Sequence, residues 1–127
     1  MIKCKIPVVW GVDKKYVLQA FVVMHSILRN SKQEYHFFIL TEDEIEEDVE
    51  KFKLQLRRYY GNFELSVKMV ESDPFLNARI YNRHLSKVAY FRLLIPEILS
   101  EYDKCIYLDC DVIVHGDLRE LYEIELE

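Results

Sequence analysis

Residues Ile6 to Val12 form a near-continuous apolar run rich in Val and carrying the one Trp, and Asp13, Lys14 and Lys15 stop it abruptly. A short apolar run bounded by charge reads as a buried strand that ends in a polar loop. From Tyr16 to Asn30 the chain has no Gly or Pro, and apolar residues at 17, 18, 20, 21, 23, 24, 27 and 28 cover most faces of a helix. A helix of that kind after a buried strand is a crossover helix packed on a sheet. Tyr35 to Leu40 is strand-like again, and Thr41-Glu42-Asp43-Glu44 has the form of a capping box that opens a second helix. That helix, Asp43 to Tyr59, is amphipathic, with Ile45, Val49, Phe52 and Leu56 on one face. Beyond Gly61 and Asn62, Phe63, Leu65, Val67 and Met69 alternate with Glu64, Ser66 and Lys68 as in a third strand.

The remainder continues the alternation. Polar residues around Asp73-Pro74 form a loop, Ser86 can cap a helix through Leu94, and Pro96 suits the first turn of a short helix to Ser100. Lys104 to Leu108 then runs as a strand into Asp109-Cys110-Asp111 and on through Val112, Ile113 and Val114. Strands and helices in this order predict an α/β domain with a mostly parallel sheet. Ligands of such sheets bind beyond the carboxyl ends of the strands, where Asp13 and the Asp109–Asp111 segment both fall if their strands are neighbours.

A chain of 127 residues holds one domain, and 50% hydrophobic residues supply its core. Seventeen Lys and Arg against 22 Asp and Glu, a formal charge of -5, leave no basic stretch for a nucleic-acid backbone. No apolar run is long enough for a membrane-spanning helix, no secretory signal is legible, and three unpaired Cys argue against a disulfide framework. A cytoplasmic protein is the expectation.

The chemistry lies in three places. In an extended segment residues i and i+2 point to one side, so Asp109 and Asp111 can both reach a hard divalent cation, and that cation can bridge two phosphates of a leaving group. An Asp-x-Asp triplet is short enough that about one arises by chance in every second chain of this composition, so solvated loop acids are the alternative. Asp13 can accept the N3 hydrogen of uracil, Tyr16 can stack on the base, and Gly11 lets a base approach the backbone; the alternatives are an N-cap and a packing residue. Lys87 and Arg92, within Ser86 to Leu94, can stabilise an anionic leaving group, or serve as a solvated lysine and a structural ion pair. His25 and His36 receive no role, His84 can face the crevice or be a loop residue without function, and His115 is left out of the metal set. A phosphoacceptor receiver domain is set aside because the third strand ends in Val70-Glu71-Ser72 rather than Asp.

Taken together and in order, Val8 to Tyr16, His84 to Leu93 and Tyr107 to Val114 resemble glycosyltransferase family 8, which includes glycogenin and bacterial lipopolysaccharide galactosyltransferases. The resemblance implies a GT-A (Rossmann-like) fold with flanking helices, a UDP-sugar donor, a Mn²⁺ or Mg²⁺ ion, and transfer of a hexosyl group with retention. A glycan, lipid-linked saccharide or protein is the acceptor it implies, with lipopolysaccharide biosynthesis one setting. Residue by residue, Asp109 and Asp111 correspond to the metal pair, with Asp109 also near the donor. Asp13 corresponds to the uracil reader, Gly11 and Tyr16 to the base site, and Arg92 and Lys87 to the cationic catalytic groups. Lys15 stands where some relatives place an Asn that touches the nucleotide. Family members continue well beyond this length, and their later segment supplies a third metal ligand, usually His, and most of the acceptor site. Residues 1–127 are therefore expected to be the nucleotide-sugar-binding part, ending after the Asp-x-Asp strand, with self-association through surface that a further segment covers, and with a non-catalytic nucleotide-sugar-binding module as the alternative function.

Overall fold

A computed structural model describes residues 5–70 and 95–125. The elements run β1 (Ile6–Gly11), a 3₁₀ turn (Lys14–Tyr16), α1 (Val17–Arg29), β2 (Tyr35–Thr41), α2 (Glu46–Arg57), β3 (Phe63–Met69), α3 (Ile95–Ile98), β4 (Ile106–Tyr107) and α4 (Leu118–Tyr122). The strands form one sheet in the order β3-β2-β1-β4, and every described pairing is parallel. The parallel α/β reading therefore holds. Register places Val8 beside Phe37 and Ile106, and Val9 beside Phe38 and Tyr107.

Both faces of the sheet are covered, which is why β1 and β2 read as continuous apolar runs and not as alternating ones. Val8, Trp10, Tyr35, Phe37 and Ile39 point to one face, against Ala20, Phe21, Met24 and Ile27 of α1 and Val49 and Leu56 of α2. Val9, Phe38 and Leu40 point to the other, with Val70, Ile95 and Leu99. Aromatic rings tie the first layer together: Trp10 meets Phe37 edge-on at 5.3 Å, and Phe37 stacks on Tyr35 at 5.7 Å and on Phe63 at 5.8 Å. On the second face His36 stacks on Phe38 at 4.0 Å, and its ring nitrogens meet the Tyr102 hydroxyl at 3.0 Å and the Ser66 hydroxyl at 2.8 Å. Burial, more than any neighbouring charge, holds the His36 pKa below its ordinary value of 6.5.

Two sequence expectations change. The capping box does not open α2 at Asp43: the helix starts at Glu46, with Ile45 before it and no side-chain cap. Thr41 remains in β2, fully buried, and its hydroxyl accepts the Asp43 N–H at 3.0 Å. Asp43 turns away to accept the Lys14 N–H at 2.8 Å. The last strand is also shorter than expected, since β-ladder pairing stops at Tyr107 and the chain turns at Cys110 and Asp111. The predicted helix over Ser86 to Leu94 lies outside the described residues. No helix among the described residues is long and apolar enough to cross a membrane.

Candidate functional site

β1 and β4 are adjacent and parallel, so their carboxyl ends deliver Gly11 to Asp13 and Leu108 to Asp111 to one edge of the sheet. On the β1 side, ladder-like pairing persists one residue past the strand, where the Val12 N–H donates to Leu40 O at 2.9 Å. Asp13 then has extended backbone, and its Oδ1 accepts the Lys15 N–H at 2.9 Å, capping the 3₁₀ turn. Capping does not use up the carboxylate, which has acceptor sites for several donors. Tyr16 ends this turn with 49% of its surface exposed, so it is not a core packing residue. The Asp43 carboxylate holds the Lys14 N–H and so fastens this turn to the loop after β2. The sequence analysis placed Asp43 in the opening of the second helix and so missed that role.

On the β4 side the Leu108 N–H donates to Val9 O at 3.1 Å. Past that bond the segment keeps the two-residue alternation of a strand. Leu108, Cys110, Val112 and Val114 pack on the main core, while Asp109, Asp111 and Ile113 are exposed. The backbone turns at Cys110 and Asp111 instead of running straight, yet both carboxylates are exposed and flank an inward-facing Cys. The Cys110 Sγ lies 3.8 Å from Gly11 O and joins the two strand ends. Its thiol pKa is pushed up to about 11, first by burial and then by the field of Asp109, Asp13 and Asp111. Three of the residues singled out from the sequence thus act on one half-buried group.

Lys87, Arg92 and His84 lie outside the described residues. His115 is exposed, and His25 lies on the exposed side of α1 with its ring 5.4 Å from Tyr60. Among the described residues no group of three or more His, Cys, Asp and Glu is arranged to hold a metal ion. The donors that are present suit a hard cation all the same: Asp109 and Asp111 offer exposed carboxylate oxygens in a negative field, with no soft ligand facing outward beside them.

The sequence profile of glycosyl transferase family 8 matches residues 7–127. The chain belongs to this family. Its family 8 relatives include glycosyltransferase GlyE of Streptococcus pneumoniae serotype 4, 29% identical over 94% of this chain and 29% of GlyE. A lipopolysaccharide 1,2-glucosyltransferase of Escherichia coli is 30% identical over 93% of this chain and 34% of its own length. The chain thus spans about a third of the length of these curated relatives. Among solved structures, GlyE superposes with a TM-score of 0.73 at 24% identity, covering 97% of this chain and 28% of GlyE. The galactosyltransferase LgtC, solved with donor and acceptor sugar analogs, gives 0.73 at 24% identity over 94% of this chain and 43% of LgtC. Those likenesses establish the fold, and the GT-A expectation of a mostly parallel sheet with flanking helices holds for this family 8 chain.

Proposed function

We propose that this chain is the nucleotide-sugar-binding part, residues 1–127 as one domain, of a retaining glycosyltransferase that moves a hexosyl group from a UDP-sugar to a saccharide, lipid-linked or protein acceptor. The observation that carries this reading is the adjacency of β1 and β4, which brings Asp13 and the Asp109–Asp111 turn to one edge of the sheet. Asp109 and Asp111 would hold a Mn²⁺ or Mg²⁺ ion, which when bound offsets the charge developing on the departing diphosphate. Asp13 accepts from the uracil N3–H, while Tyr16 stacks on the base beside the Gly11 backbone. Lys87 and Arg92 are assigned the added positive charge at the leaving group. Work in the cytoplasm is part of the same reading, as is self-association.

Calorimetric titration of UDP with and without Mn²⁺ tests the site. Binding that strengthens with the metal, and loses that gain in Asp111→Asn, supports it. No binding in either condition, or binding indifferent to both metal and substitution, shows the assignment to be wrong. The alternative reading is a nucleotide-sugar-binding module without turnover of its own. Metal-dependent hydrolysis or transfer from UDP-glucose or UDP-galactose by this chain would exclude that alternative.

A further inference from the structure

The Asp109–Asp111 turn is fixed at both ends. Before it, the Leu108 N–H donates to Val9 O. After it, Val114 is held by a side chain of helix α1 and by that of its C-cap residue Asn30 instead of by a strand. The Val114 N–H donates to Ser26 Oγ at 3.0 Å, and the Val114 carbonyl accepts from Asn30 Nδ2 at 2.8 Å. Neither residue has slack. Ser26 is 8% exposed, and its hydroxyl donates to Val23 O at 2.6 Å, which points its lone pairs at Val114. The Asn30 amide gives its other hydrogen to Ser26 O at 2.8 Å, so both N–H bonds are committed and the side chain cannot swing away. Ser26 and Asn30, one helical turn apart, therefore present an acceptor and a donor to a single residue, as an adjacent strand would do.

We propose that Ser26 and Asn30 are positioning residues that set the placement of the Asp109 and Asp111 carboxylates for cation binding; this rests on the reading of that pair as the cation site. Val114 is three residues past Asp111, a reach of at most about 10 Å, so displacement of Val114 passes directly into the turn. The same helix starts at Val17, directly after Asp13 and Tyr16, so one rigid element references both halves of the site. Neither residue stands out in the sequence, because a Ser and an Asn near a helix end read as ordinary surface or capping groups.

The test compares Ser26→Ala, which removes the acceptor, and Asn30→Asp, which puts a carboxylate oxygen against the Val114 carbonyl. UDP is titrated into each by calorimetry, without metal and with saturating Mn²⁺, and binding of Mn²⁺ alone is read from the electron paramagnetic resonance of the free ion. The expected result is a loss of about fivefold or more in the Mn²⁺-dependent gain and in Mn²⁺ affinity, with metal-free UDP affinity kept within about twofold. A residue that merely supports the fold would weaken both titrations alike, and that outcome overturns the proposal, as does no change in either. Asn30 is exposed, so Asn30→Asp carries the test if the buried Ser26→Ala fails to fold. If the unsubstituted chain shows no Mn²⁺-dependent gain, or Asp111→Asn retains it, the cation-site reading is wrong and the positioning role falls with it. If that gain is present and both variants keep it, only the positioning role fails.

Discussion

The thiol of Cys110 lies 3.8 Å from the carbonyl oxygen of Gly11, and this contact ties the end of β4 to the end of β1 across 99 residues of sequence. Burial and three surrounding carboxylates keep the group in its neutral form.

Cys110 should therefore react slowly with alkylating reagents. Its pKa of about 11, against an ordinary 9.0, leaves little thiolate near neutrality. Peptide mapping after timed treatment with iodoacetamide at about pH 8 should show Cys110 labelled at least about tenfold more slowly in the native chain than in urea. Equal rates would mean that the carboxylates do not surround the thiol as described.

Stability should fall as the solution is acidified through the range in which free histidine gains its proton. The His36 pKa is depressed in the folded chain, so below about 6.5 the unfolded chain takes up a proton that the folded site resists. The contribution is complete above that pH and is lost progressively below it. Urea midpoints at about pH 7.5 and 5.5 should differ more for the native sequence than for His36→Gln. The paired Glu64 carboxylate, held below its ordinary 4.5 by Lys5, titrates below this window. A pH dependence identical in the two proteins would remove His36 as its source.

Asp117 should be a costly residue to lose. Its Oδ1 caps α4 through the Arg119 N–H at 2.9 Å, accepts the Ser31 hydroxyl at 2.7 Å and meets the Tyr35 hydroxyl at 3.5 Å. Asp117→Ala removes a cap and leaves two hydroxyls short of a partner, a destabilisation of about 2 kcal/mol. Chemical denaturation measures it, and a change under about 0.5 kcal/mol would show the cluster to be incidental.

The exposed apolar residues Leu18 and Val22 of α1, Leu54 of α2 and Tyr59 just past it make concentration-dependent self-association the expected behaviour of this chain. Light scattering across a dilution series checks it, with Leu18→Glu and Tyr59→Glu shifting the population toward monomer. A monodisperse monomer at every concentration would oppose it.

Much of this architecture is legible in the residues. Ile6 to Gly11 and Tyr35 to Thr41 read as buried strands because helices cover both of their faces, and that same pattern places Asp13 and Asp109 at the strand ends. What escaped depends on partners far away in sequence. Thr41 to Glu44 look like the opening of a helix, yet Thr41 stays in β2, Asp43 accepts the Lys14 N–H from 29 residues away, and α2 starts only at Glu46. The run from Leu108 to Val114 has the alternation of a strand, yet its later part pairs with Ser26 of a helix and with the cap residue Asn30, a substitution that no periodicity encodes.

The β1–β4 pairing also bears on when the protein becomes competent. Because Gly11 and Cys110 are 99 residues apart, the edge they share cannot close until the polypeptide has grown past Cys110. On the proposed reading, a growing polypeptide has no complete nucleotide site until β4 emerges, and nucleotide binding then favours only the finished fold. Nucleotide added during refolding should accordingly, on that reading, slow the loss of the completed sheet.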